Sequence, residues 1–261
     1  MDLNLTGKIA VVTGASKGIG LAITQALAEA GAHVIAGARN NSSDLKALEA
    51  TGSATFVTAD LSTPEGPRGL IATAAERGGV DVLVNNAGAV ATRFDGILSV
   101  TDEEWAASLA INFLSAVRTT REAIPQMLAR GGGSIVMIGS VNATLPEWNI
   151  VDYSATKAAL ANYAKSLSKE FGPKGIRVNT ISPGPVSTDL WLAEDGVAAK
   201  FASASGATPD DVVASVSAGA PTGRFTTPQE VADLTAFLAS SRSANTTGAD
   251  VRIDGGYVTT V

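Results

Sequence analysis

The chain has 261 residues, 45% of them hydrophobic and 17% charged, enough to bury a sizeable core in one large domain or two small ones. A net charge of -6 with no lysine/arginine run argues against nucleic acid, whose phosphates need a basic field. No cysteine and a single histidine exclude disulfides and thiolate catalysis and leave only carboxylates as metal ligands, so no metal is expected. No apolar run approaches the ~20 residues of a membrane span. The opening MDLNLTGKIAVV lacks the basic-then-apolar pattern of a signal peptide, so a soluble, cytoplasmic protein is expected.

In chain order, short β-branched runs alternate with stretches of helical period. Strands are predicted at 8–13, 33–38, 54–58, 80–84, 133–138, 177–181 and 250–253, most of them continuous apolar runs suited to burial on both faces. After the first strand, Ile19, Ala22, Ile23, Ala26, Leu27 and Ala30 form an i, i+3, i+4, i+7 stripe. Thr101 with Glu104 makes a capping box opening a helix of about six or seven turns, and Thr227, Pro228 and Glu230 repeat the signal near the end. This alternation predicts an α/β fold, a seven-stranded parallel sheet with helices on both faces. No repeat or linker divides the chain, so residues 1–261 are expected to form one domain. Within it, 187–222 is rich in Ala, Ser and Gly, with Trp191 and Phe201 as its large anchors. Short helices are expected there, either as a mobile lid over substrate or as a surface insertion without a role.

The loop TGASKGIG, 13–20, joins the first strand to the first helix. Gly14 permits the tight exit, Gly18 lets backbone approach a ligand, and Gly20 lets the helix lie close on the sheet. Backbone N–H groups from Ser16, Lys17 and Ile19, with the positive end of the helix dipole, then favour a pyrophosphate. The same letters spell G-x-S-x-G, the nucleophile turn of some hydrolases, but that chemistry needs a histidine base far downstream. The one histidine, His33, lies a single strand on and is expected at a surface or edge position. At the end of the second strand, Gly37-Ala38-Arg39-Asn40 lacks the carboxylate that grips the ribose of NAD. Arg39, helped by Lys17, suits a 2′-phosphate instead, so NADP(H) is expected over NAD(H).

In DYSATKAAL, 152–160, Tyr153 and Lys157 stand four apart, which places them on one helix face. A phenol with a reference pKa of ~10 is a sluggish proton carrier at neutral pH. A neighbouring ammonium lowers that pKa, since two charges 4 Å apart interact by about 4 kcal/mol at an effective dielectric of 20. Tyr153 is therefore expected to be a general acid/base tuned downward by Lys157. Asn112 shares a stripe with Trp105, Leu109, Phe113, Ala116 and Val117. It is either an amide satisfied by backbone or a functional group.

Taken together, these motifs resemble the short-chain dehydrogenases/reductases over nearly the whole chain. TGASKGIG looks like the family's cofactor loop, Asp60-Leu61 falls where the family contacts adenine, and NNAG at 85–88 follows the fourth strand. Asn112, Ser140, Tyr153 and Lys157 fall at the catalytic tetrad, and PGPVST at 183–188 looks like the segment flanking the nicotinamide. One departure is Gly139-Ser140 where many members carry two serines, which leaves the catalytic serine in place. The resemblance implies a doubly wound Rossmann domain and hydride transfer between NADP(H) and a ketone or secondary alcohol. Asn86, Ala87, Gly88, Pro183, Gly184, Val186 and Thr188 join the cofactor site. Ser140 would hydrogen-bond the substrate oxygen, Lys157 would also hold the nicotinamide ribose, and Asn112 would hold a water near Lys157. It also implies a homotetramer, with the alanine-rich helix from Tyr153 and the closing DVRIDGGYVTTV as contact surfaces. Leu145, Trp148, Trp191 and Leu192 are candidate pocket residues, and each fits a core position equally. Two alternatives stay open: a 3-oxoacyl-thioester reductase, for which Arg130 and Lys174 are the only basic docking candidates, and a non-catalytic NADP-binding sensor.

Overall fold

A computed structural model describes residues 2–260. Seven strands form one parallel sheet in the order β3-β2-β1-β4-β5-β6-β7. They are β1 (Ile9–Thr13), β2 (His33–Ala38), β3 (Ala54–Thr58), β4 (Val82–Asn85), β5 (Gly133–Ile138), β6 (Ile176–Pro183) and β7 (Asp250–Ile253). The order reverses between β1 and β4, and a crevice opens at such a switch point outside the carboxyl ends of the strands.

The interior strands are apolar on both sides because each side meets helices. From β1, Ala10 and Val12 pack toward α1 (Gly18–Glu29) and α10 (Pro228–Ala239), with Ile23, Leu27, Val231 and Leu238. Ile9 and Val11 point the other way, toward α3 (Glu65–Glu76), α5 (Ser115–Ala129) and α6 (Val151–Phe171), with Leu70, Ile71, Met127 and Leu160. Helix α2 (Ser43–Ala50) is short and joins β2 to β3. Among the described residues no helix is long and apolar enough to cross a membrane.

The seven strands stand where the sequence places them, with shifts of one or two residues at five ends, in β1, β4 and β6. β4 starts at Val82 because Asp81 spends its carboxylate on the Ile9 N–H (2.9 Å) and on Arg130 (2.9 Å), stapling the strand's entry. β6 runs on to Pro183 because β7 pairs alongside it through Ile253. His33 opens an interior strand rather than an edge. Its ring is half-buried and bonded at both nitrogens, to Gly52 O and Thr55 Oγ1 (3.0 Å each), a structural role.

Both expected capping boxes are present, and Thr208 with Asp211 makes a third. The helix opened by Thr101 is α4 (Asp102–Leu109), continuing into α5 through a π-helical turn at Ala110–Leu114. One π turn inside a long helix often marks a functional site, and this one carries Asn112. The 187–222 segment forms α7 (Asp189–Leu192), α8 (Val197–Ser205) and α9 (Pro209–Ala218), the short helices expected.

Candidate active site

The crevice is built first by two loops that lock together. Gly14 leaves β1 at a φ of 67°, a left-handed value that favours glycine, and its N–H reaches Gly37 O (2.8 Å). A Cβ on Gly20 would sit 2.1 Å from Gly14 O, so only glycine lets α1 start this close. From β4, Asn86 donates its amide to Thr13 O (2.9 Å) and Gly14 O (3.1 Å), while Thr13 Oγ1 accepts the N–H groups of Asn86 and Ala87. Asn86, expected as a cofactor contact, spends that amide holding the loop. Thr13, which the sequence does not single out, is the other half of the clamp.

The first turn of α1 has no side-chain cap, no acidic residue, and an extended Lys17 before it. Its N–H groups are therefore available, and the helix dipole adds positive potential. Ser16 is half-buried and Lys17 exposed in the loop, whereas the Ile19 side chain packs on the core, leaving its backbone as the ligand-facing part. Gly18 also has a positive φ, 54°, and a Cβ there would stand 3.4 Å from Thr188 Cγ2, so the glycine loop and the segment after β6 face each other. In that segment Pro183 ends the strand, Gly184 lies against Asp254, and Val186 is buried beside Thr226.

At the end of β2, Arg39 is exposed and makes no ion pair or hydrogen bond among the described residues. Its guanidinium is near enough to Asp60 to help hold that carboxyl below its ordinary range. The larger cause there is Ser62, whose hydroxyl and N–H bind Asp60 Oδ1 (2.7 and 3.0 Å). The Leu61 side chain is buried in the core, which leaves its backbone as the part open to a ligand.

The remaining groups gather after β5 and on α6. Ser140 leaves β5 in extended backbone and is buried, its hydroxyl donating to Asn142 Oδ1 (3.0 Å). Lys157 is buried and donates to Ile138 O (2.8 Å), with its Nζ 5.6 Å from the Tyr153 ring centre. A Cβ on Gly88 would meet both Asn112 Oδ1 (3.0 Å) and Lys157 Nζ (3.6 Å), which places those two side chains around one bare glycine. Asn112 accepts the Ala89 N–H (2.9 Å) and donates to Ser108 Oγ (3.3 Å), so protein groups alone satisfy its amide.

The electrostatics correct one expectation. Burial raises the Tyr153 phenol above its ordinary value, and the Ser140 hydroxyl only partly offsets this. Burial also pulls Lys157 down to about 8. In the ligand-free protein desolvation therefore outweighs the ammonium's effect on the phenol. Tyr153 is a protonated donor at neutral pH, the form a carbonyl reduction consumes.

The four candidate substrate residues differ in exposure. Trp191 is half-buried edge-on against Phe225 (5.2 Å), and Leu145 is half-buried beside Asn142. Trp148 and Leu192 are 63% and 50% exposed, too open for core positions. The contact the sequence does not reveal is Phe94 after β4, edge-on to Phe201 of α8 at 5.1 Å.

Lys157 has a pH signature. The unfolded chain holds its proton up to about 10.5 and the folded protein only to about 8. The burial penalty is thus full below pH 8 and vanishes as pH rises to 10.5. The stability of wild type relative to Lys157→Met, measured by urea unfolding, is expected to climb across that window. A flat difference would contradict the burial of a titrating amine.

Comparison with known proteins agrees with this architecture. A family model described as enoyl-(acyl carrier protein) reductase matches residues 14–258. The 3-oxoacyl-[acyl-carrier-protein] reductase of Vibrio cholerae is 36% identical over 256 residues, covering 97% of this chain and 98% of its own. Human dehydrogenase/reductase SDR family member 4 is 33% identical over 261 residues, covering 97% and 88%. Among solved structures, L-sorbose reductase of Gluconobacter frateurii with NADPH and L-sorbose superposes at a TM-score of 0.92, with 35% identity and full coverage of both chains. The chain belongs to the short-chain dehydrogenase/reductase family of oxidoreductases.

Proposed function

We propose that the protein reduces the carbonyl of a small free ketone with NADPH, Tyr153 being the proton donor. The observation carrying this is the convergence of Ser140, Tyr153 and Lys157 at the carboxyl end of β5, beside the switch-point crevice. The residues fit the cofactor. The uncapped start of α1 and Gly14, Gly18 and Gly20 suit a pyrophosphate, and the free Arg39 with Lys17 suits a 2′-phosphate. NADPH is named in the L-sorbose reductase structure, and NADP in that of a 3-oxoacyl reductase from Agrobacterium tumefaciens. The bound cofactor supplies the hydride. Tyr153 donates its proton to the carbonyl oxygen, and Ser140 stabilises the charge that develops there. Lys157 favours the resulting phenolate and, as in the family, binds the nicotinamide ribose. Asn112 is assigned the water that returns the proton.

The segment 187–222 serves as a cover over substrate, supported by Thr188 against Gly18 and Phe201 against Phe94. A second reading, reduction of a 3-oxoacyl thioester, is favoured by the names of several relatives. Against it within one chain, Arg130 is paired with Asp81 before β5 begins, at the other end of the strand from Ser140. The proposed assembly is a homotetramer, supported by the half-exposed edge strand β7 and by exposed Ala155 and Ala158 on α6. Light scattering should return about four chain masses per particle, and a monomer would refute it.

The test of activity is NADPH consumption with ethyl acetoacetate, L-sorbose and acetoacetyl-CoA. Turnover of a free ketone is expected, with Tyr153→Phe slower by ~10²–10⁴-fold. Preference for the thioester alone would support the second reading, and an active Tyr153→Phe would overturn the proton assignment. Arg39→Asp should shift preference from NADPH toward NADH, because a carboxylate repels a 2′-phosphate and grips a ribose hydroxyl. Unchanged selectivity would remove Arg39 from the site.

A further inference from the structure

Helix α6 begins without a local cap. Its N-cap residue, Ile150, offers no side-chain acceptor, and a single turn of 3-10 helix, Trp148–Ile150, leads into it. Two buried side-chain oxygens in this stretch, Asn149 Oδ1 and Ser154 Oγ, have no partner. Yet Tyr153 sits in that first turn, where fraying would move the phenol most. Something from outside the helix must hold it.

What reaches it is Arg93, from the loop after β4. Its Nη2 meets Asp152 Oδ2 at 2.9 Å and its Nε meets Asp152 Oδ1 at 3.5 Å, a two-pronged contact on the residue next to Tyr153. The side chains are 12% and 2% exposed, so water competes little. The Arg93 N–H also donates to Asn149 O (2.7 Å), and Nη1 meets Glu104 Oε1 (2.5 Å). The other oxygen of Glu104 closes the capping box of α4, the helix that runs on to Asn112. Phe94, the next residue, lies edge-on against Phe201 of the cover segment. One side chain thus joins the first turn of α6 to the start of α4, next to a residue that touches the cover.

We infer that Arg93 is a positioning residue for the reaction, holding Tyr153 in register through Asp152. The inference rests on Tyr153 being the proton donor. A buried ion pair contributes little net stability, and replacing both partners by apolar groups of similar size is often neutral, whereas removing one strands a charge. That separates a structural role from a positioning one.

The test compares wild type, Arg93→Lys, Arg93→Met and the double variant Arg93→Met/Asp152→Leu, using whichever of ethyl acetoacetate, L-sorbose or acetoacetyl-CoA the wild type reduces. Melting temperature, kcat and the Kd for NADPH by cofactor fluorescence are read on folded protein. Arg93→Met is expected to lose both stability and rate. The double variant should regain stability but keep a kcat lower by about tenfold or more, with NADPH affinity unchanged, because a shift of about 1 Å in a reacting group can cost ~10²-fold. Arg93→Lys should fall between, since an ammonium replaces the fork with one contact. Recovery of kcat with stability in the double variant overturns the inference, as does an equal loss of NADPH affinity. Should the double variant fail to fold, Arg93→Lys with wild-type kcat overturns it alone, and a lowered kcat at unchanged NADPH affinity supports it. A wild type that reduces none of the three probes overturns the Tyr153 assignment instead.

Discussion

The site depends on an amine kept where amines are costly. Lys157 lies in the interior against one backbone oxygen, Ile138 O, and burial alone pulls its pKa down to about 8. A lysine placed for packing would snorkel to water. This one faces the end of β5 beside a half-buried tyrosine and a buried serine, the kind of desolvated cluster that marks a functional site. The same burial raises the phenol. The phenol is thereby kept in its neutral form, while the amine, at about 8, remains mostly an ammonium at neutral pH and holds its proton less tightly than in water.

That arrangement needs a rigid frame, and the topology supplies it. Because the strand order reverses between β1 and β4, the loops that leave these strands meet, and Thr13 and Asn86 join them with four hydrogen bonds. Gly20 and Gly88 then remove side chains where two backbones or two functional groups must come close. The loops after β1, β4, β5 and β6 gather at this end of the sheet, and the 187–222 segment meets them where Thr188 faces Gly18 and Phe201 lies edge-on to Phe94.

Much of this was legible in the sequence, for physical reasons. Continuous β-branched runs mark strands buried on both faces, so all seven appear within a few residues of their places. The Tyr153–Lys157 spacing and the glycine loop are local, and local geometry survives folding. What stayed hidden depends on partners distant in the chain. Arg93 and Asp152 are 59 positions apart, and nothing periodic links them. The packing of the Leu61 side chain in the core and of Trp191 against Phe225 likewise rests on residues far away in the chain. In the ligand-free protein the phenol stands above its ordinary value, which spacing does not reveal because it reports the neighbouring charge and not the dry surroundings that outweigh it.

The most direct test is the ultraviolet titration of Tyr153, isolated by difference against Tyr153→Phe, with and without NADP⁺, in wild type and Lys157→Met. If a buried ammonium and the cofactor's positive ring together tune the phenol, wild type with NADP⁺ will form phenolate at clearly lower pH than wild type alone. Lys157→Met will lose most of that shift. A midpoint indifferent to both the cofactor and the lysine would contradict the account.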